Sequence, residues 1–136
     1  MRDSERLVLD TNVVVSGILF PGSAPGRALL KAQTRRALVS EATLLELVEV
    51  MSRVRVDRYV EAEVRKQLVA AYMNACETIQ TTSSIRACRD ARDNKFLEVA
   101  VDGRADLIVS CDLDLPALHP FRGIAILAPS DYLAKE

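Results

Sequence analysis

Four short apolar runs punctuate the chain: Leu7-Val8-Leu9, Ala37-Leu38-Val39, Leu107-Ile108-Val109 and Ile124-Ala125-Ile126-Leu127. Each is strand-sized, and stretches with helical spacing lie between most of them. Short strands without polar alternation, interleaved with helices, predict an α/β layer fold with a mostly parallel sheet. Strand one is placed at about residues 6–11 and helical pattern at about 25–35, where Ala28, Leu29 and Ala32 share a side. The β-branched run Val13-Val14-Val15 is assigned to no element, because Gly17 and the stretch 21–26 break the chain after it. Ser40 is a plausible N-cap for a helix carrying Leu44, Leu45, Val48 and Met51. A further helix over 59–76 would bury a stripe of Val60, Val64, Leu68, Ala71 and Ala75. Residues 78–82 are β-prone; Asp93 is read as the cap of a helix over 95–101, with Gly103 as its stop and Pro129 opening a last helix.

The chain has 136 residues and no repeat or linker, which suits one domain over 1–136. Hydrophobic residues make up 49% and charged residues 27%, which excludes wholesale disorder. No run reaches the roughly 18 apolar residues of a membrane span, and the apolar run before Asp10 is too short for a signal peptide. Cys76, Cys88 and Cys111 form no C-x-x-C pair and read as reduced thiols of a cytoplasmic protein. A single histidine, His119, leaves little material for a catalytic triad or a multi-histidine zinc site, and it is read as structural. The net charge is −1, so no strong polyanion footprint exists at whole-chain level. The charge is uneven: residues 27–66 hold nine Lys/Arg against six acids, and residues 90–136 hold five against nine.

Ligands of parallel sheets collect at the C-terminal ends of the strands, which filters the acids. Asp10 ends strand one; Asp112 follows the strand at 107–110, and Asp114 comes two residues later. If those strands are neighbours, Asp10 and Asp112 face each other. Asp93 starts the preceding helix, and Glu46 lies in the second turn of the helix after strand two. Taken singly, Asp93 is usually a cap, Asp114 a turn residue and Glu46 a solvated helix charge, with Glu49 on the other edge of the same apolar face. Asp90 and Asp106 read as turn or cap residues. Asp10 is hardest to dismiss, because an acid after a buried run costs stability unless paired or bound. Several carboxylates in one cleft repel unless protonated or holding a cation. Oxygen donors suit Mg²⁺ or Mn²⁺, and such ions serve phosphodiester or phosphate chemistry.

Residues 7–12 (LVLDTN), 40–50 (SEATLLELVEV) and 89–115 (RDARDNKFLEVAVDGRADLIVSCDLDL) together closely resemble a PIN domain. Within that family they are similar to the branch of toxins from type II toxin–antitoxin pairs (VapC-like), and the likeness extends to APSDYL at 128–133. The resemblance implies a three-layer α/β/α sandwich with strand order 3-2-1-4-5. It implies a ribonuclease whose acids hold Mg²⁺ or Mn²⁺. Carried over, Asp10, Glu46, Asp93 and Asp112 match the catalytic and metal-holding acids, with Asp114 a further one. Asn12 matches a polar position that orients Asp10 or a metal water, and Ser110 stands where the family often has Thr. The family often shows D-P-D-D-N, where this chain has Asp90-Ala91-Arg92-Asp93-Asn94. The resemblance also implies an RNA substrate, a homodimer and a cognate antitoxin. Arg27, Lys31, Arg35, Arg53 and Arg55 are candidates to carry the RNA backbone, and with only 4% aromatics base stacking is not the obvious mode.

Three other readings compete. A phosphatase with an aspartyl nucleophile would use Asp10, but its usual second acid is Asn12 here. A receiver-type regulator gives no role to Glu46 or to the Asp112/Asp114 pair. A PIN-like module that binds RNA or a partner without cutting, or a non-toxin RNA-processing nuclease, remains open to the same residues.

Overall fold

The computed structural model describes residues 5–53 and 57–135. Five strands form one parallel sheet in the order β3-β2-β1-β4-β5, which bears out the expected fold class and strand order. They are β1 (Arg6–Leu9), β2 (Arg36–Val39), β3 (Glu77–Thr78), β4 (Leu107–Val109) and β5 (Ala125–Leu127). The helices among the described residues are α1 (Thr11–Leu19), α2 (Ala24–Ala32), α3 (Glu41–Met51), α4 (Ala62–Ala75), α5 (Asn94–Asp102) and α6 (Pro129–Ala134). β1 and β4 are neighbours in register, Leu7 opposite Leu107 and Leu9 opposite Val109.

Alternation within these strands divides the core into two. Leu7, Leu9, Leu107 and Val109 face one side, against Val13 and Val14 of α1, Ala28 of α2, Leu47 of α3, Val69 of α4 and Tyr132 of α6. Val8, Ile108 and Ile126 face the other, against Phe96, Leu97, Val99 and Ala100 of α5. The sandwich therefore has a thick helical layer and a thin one.

Helix α1 was not expected. Its three consecutive valines lower helix propensity, but Val13 and Val14 are sealed between the sheet and α2, so burial outweighs propensity. Asp10 caps it: its Oδ1 accepts from the Val13 N–H at 2.9 Å. Strand one accordingly ends at Leu9, earlier than position 11. The α1–α2 corner is tight, since a Cβ on Gly26 would stand 2.3 Å from the Pro21 carbonyl oxygen. The stripe expected on α4 is displaced: Val64 and Leu68 are exposed while Arg65 and Val69 are buried. The Arg65 guanidinium pairs with Asp57 at 2.6 Å, which admits its stem to the interior. On α3, likewise, Leu45 and Val48 are exposed and Thr43, Leu47 and Met51 are buried.

Two further expectations change. The strand near 78–82 covers only Glu77–Thr78, because the backbone beyond it is satisfied by α5 side chains. Asp102 accepts from the N–H groups of Thr82 and Ser83, Glu98 from Ile85, and Asn94 from Ala87 and Cys88. These three acceptors stand one turn apart on α5 and replace a strand ladder. At the end of α5, Gly103 keeps a negative φ of −87° and Arg104 takes the left-handed conformation, φ 56°. The Arg104 N–H donates to Val101 O and the Ala105 N–H to Ala100 O, a Schellman closure with arginine at the glycine position. His119 is structural here: its Nδ1 accepts from the Ile126 N–H at 2.8 Å.

Candidate metal centre

The C-terminal ends of β1 and β4 open into a cavity of about 300 Å³ that takes in Asp10, Glu46, Asp93, Asp112 and Asp114. Asp10 lies deepest, 3% exposed. The Ser110 hydroxyl donates to Asp10 Oδ2 at 2.5 Å and accepts from the Asp112 N–H at 3.0 Å, so one side chain spans both acids. The Asp114 N–H in turn donates to Asp112 Oδ1 at 2.9 Å. Asp93, Asp112 and Asp114 each place a carboxylate oxygen so that all three lie within 4.8 Å.

The electrostatics of this arrangement are those of a site short of positive charge. Burial raises the Asp10 carboxyl to about 6, against the lowering effect of hydrogen bonds from Ser110 and the Val13 N–H. Asp93 is pushed up to about 7, first by burial, then by its hydrogen bond with Asp112 and the charges of Asp112, Asp90 and Glu46. Protonation relieves the repulsion in one way and a hard cation relieves it in another. Oxygen-only donors of this number suit Mg²⁺ or Mn²⁺ rather than zinc. The nearby thiols do not compete as nucleophiles or soft ligands. Cys88 and Cys111 are both raised to about 11, chiefly by burial, and Cys76 likewise.

Glu46 and Glu49, which periodicity left open, are separated here. Glu46 faces the cavity, and Glu49 pairs instead with Arg53 at 3.8 Å. Both Glu46 oxygens are engaged: Oε2 accepts from the Thr11 hydroxyl, and Oε1 pairs with Lys95 Nζ at 2.9 Å. Thr11 and Lys95 were missed in the sequence. Thr11 sits between two residues that drew notice for their own chemistry, and no spacing rule links Lys95 to a glutamate 49 positions earlier. Asp93 stands at the N-cap position of α5 as expected, but its carboxylate makes no capping hydrogen bond, and the turn before α5 is capped by Asp90, which accepts from the Arg92 N–H. Asn12 lines the cavity but takes no part in the hydrogen bonds to Asp10.

Among the described residues, none of the cations expected along the RNA backbone lines the acid cavity. Lys31 donates to the carbonyls of Tyr132 and Lys135 at the end of α6, where a cation neutralises orphan acceptors. Arg27 is exposed on α2, Arg35 pairs with Glu5 at 3.7 Å, and Arg53 pairs with Glu49. Arg55 lies outside the described residues.

Carboxylates gathered beyond the C-terminal ends of adjacent parallel strands stand where ligands of such sheets collect, and oxygen donors of this kind suit a hard divalent ion. The profile of the PIN domain matches residues 6–114, and the chain belongs to the PIN domain family, whose members are typically nucleases. The chain is 28% identical over 117 residues to an uncharacterized protein of Methanocaldococcus jannaschii (MJ1680), covering 84% of this chain and 75% of that one. In structure it is similar to a chain in the crystal structure of VapBC2 from Rickettsia felis bound to a DNA fragment from their promoter. That match has a TM-score of 0.61 and 14% identity, and covers 89% of this chain and 96% of the other. The family and fold read from the sequence are thus borne out. Among the described residues no single helix is long and apolar enough to cross a membrane.

Proposed function

We propose that this chain is a Mg²⁺- or Mn²⁺-dependent endoribonuclease, a single PIN domain over residues 1–136, and the toxin of a toxin–antitoxin pair. The observation that carries the reading is the convergence of Asp93, Asp112 and Asp114 beside the buried Asp10. Family membership supports the nuclease, and the likeness to VapBC2 supports the toxin. Asp10, Asp93 and Asp112 would hold the ion, with Asp114 completing the set and Glu46 at its margin. When bound, the ion supplies an activated water and charge stabilisation on the phosphate. Ser110 holds Asp10 and Asp112 at a constant separation, and Val13 N–H fixes the Asp10 rotamer. Asp93, whose carboxyl is pushed up to about 7 by burial and by Asp112, would have to be ionised to serve as a ligand. We further place the protein in the cytoplasm, consistent with its three free thiols.

Cleavage of a mixed single-stranded RNA in Mn²⁺ tests this. Cleavage is expected in Mn²⁺, none in EDTA, and none by Asp112→Asn. The same ion should raise thermal stability by RT ln(1 + [L]/Kd), about 2.7 kcal/mol at roughly a hundredfold excess over Kd. For a chain of this length the midpoint rises on the order of 10 °C, and the rise vanishes in Asp10→Asn/Asp93→Asn. Full cleavage by Asp112→Asn, or a melt indifferent to Mn²⁺, sinks the assigned centre.

A further inference from the structure

Four basic residues in the stretch that leads into α5, Arg86, Arg89, Arg92 and Lys95, recur at every third position. Arg86, Arg92 and Lys95 line a second concavity of about 490 Å³, with Ser84 and Asn94, and Arg92 borders both it and the acid cavity. This wall is held firmly. Glu98 accepts from the Ile85 N–H at 3.0 Å and Asn94 from the Ala87 N–H at 3.1 Å, one on each side of Arg86. Asp90 accepts from Arg92 Nε at 3.2 Å and Nη2 at 2.8 Å, yet leaves that side chain 82% exposed. Lys95 is held across the cavity by Glu46. Among the described residues, Arg86 and Arg89 pair with no carboxylate.

The charge balance gives this wall a task. Six carboxylates line the acid cavity, and Arg92 is the one cation among its lining residues. A nucleic acid carries phosphates on both sides of the bond to be cut, and these are repelled by that cavity over a Debye length of about 8 Å. Cations at its lip offset the repulsion, and forked guanidinium groups suit phosphate oxygens. The scarcity of aromatics favours backbone contacts over stacking. We propose that Arg86, Arg92 and Lys95 form a cationic track that carries the phosphodiester backbone of single-stranded RNA from the neighbouring concavity into the acid cavity. This rests on the ribonuclease reading above. It also moves the RNA path from α2 and the end of α3 to the segment bound against α5.

Binding of a labelled single-stranded oligoribonucleotide, followed by anisotropy in Ca²⁺ across a range of salt, tests the track. Each phosphate contact in a single strand adds about 0.7 to the slope of log K against log salt. Arg86→Gln should lower that slope by about 0.7, and Arg86→Gln/Lys95→Gln by about 1.4, with affinity at physiological salt reduced severalfold or more. Arg86→Lys should keep the parent slope, as should Arg27→Gln/Arg53→Gln. Arg86 is exposed, so its variant folds even if the double variant does not, and an unchanged Mn²⁺ melting shift verifies the fold. A parent slope in Arg86→Gln, or a loss confined to Arg27→Gln/Arg53→Gln, overturns the track and leaves the nuclease intact. A parent protein that binds no RNA overturns both.

Discussion

Asp93 is the most strongly raised carboxyl of the acid cavity. Its carboxyl stands at about 7 in the folded chain, against an ordinary value near 3.9 in the unfolded one. Between those values the native state binds the proton more tightly, so stability is full at low pH and declines as pH rises toward 7. Asp10, at about 6, contributes in the same direction. In EDTA, the thermal midpoint should therefore fall from pH 5 to pH 8. Asp93→Asn should flatten the fall and raise the midpoint at pH 8, as followed by circular dichroism. A midpoint independent of pH in the parent would show that these acids do not crowd one another. At this scale much of the site was legible. A carboxylate after the buried Leu7-Val8-Leu9 run stands out in the sequence even though it also caps α1, and the strand-end rule selected Asp112. Periodicity could not separate Glu46 from Glu49, because both flank one apolar face. Only tertiary placement gives Glu46 its partners, Thr11 and Lys95.

Elements divide into those whose sequence agrees with their surroundings and those overruled by them. The central strands are of the first kind, since β1 and β4 are apolar at every buried position and lie next to each other. Helix α1 is of the second kind, with β-branched valines that lower helix propensity and burial that makes them helix. The segment beyond Thr78 reads as strand, and it is tied down by Asn94, Glu98 and Asp102, whose helix looks merely polar on that face. The terminus of α5 offers a direct check. Arg104 holds a φ that non-glycine residues adopt at a cost of roughly 1 kcal/mol. Arg104→Gly should stabilise the protein by about 0.5–1 kcal/mol in urea titrations, with m unchanged. A loss of stability would mean that the arginine side chain contributes more than its backbone strain costs.

At the scale of the whole molecule, α3 and α4 keep large apolar side chains exposed. Leu45 and Val48 of α3 and Val64 and Leu68 of α4 are each more than 40% exposed. They account for the displaced helical stripes: residues read as core from spacing alone face outward. Large exposed apolar patches mark association surfaces, and a twofold dimer requires one self-complementary patch. We propose that these side chains pair two copies of the chain. Light scattering should give twice the chain mass for the parent and a single chain mass for Leu45→Asp/Leu68→Asp, with the Mn²⁺ melting shift retained. A monomeric parent at high concentration removes the dimer and leaves the metal centre as described.

Tyr132, fully buried near the end of the chain, separates two boundaries that are easily confused. The family profile ends at residue 114, yet β5 and α6 lie beyond it and supply Leu127 and Tyr132 to the larger core cluster. Every acid of the metal centre precedes residue 115, so a shortened protein would keep all of its chemistry on paper. It would also leave β4 as an unpaired sheet edge, with Leu107, Ile108 and Val109 open to pairing with other chains. The segment that carries the candidate metal-holding acids is thus smaller than the segment that completes the sheet and its core.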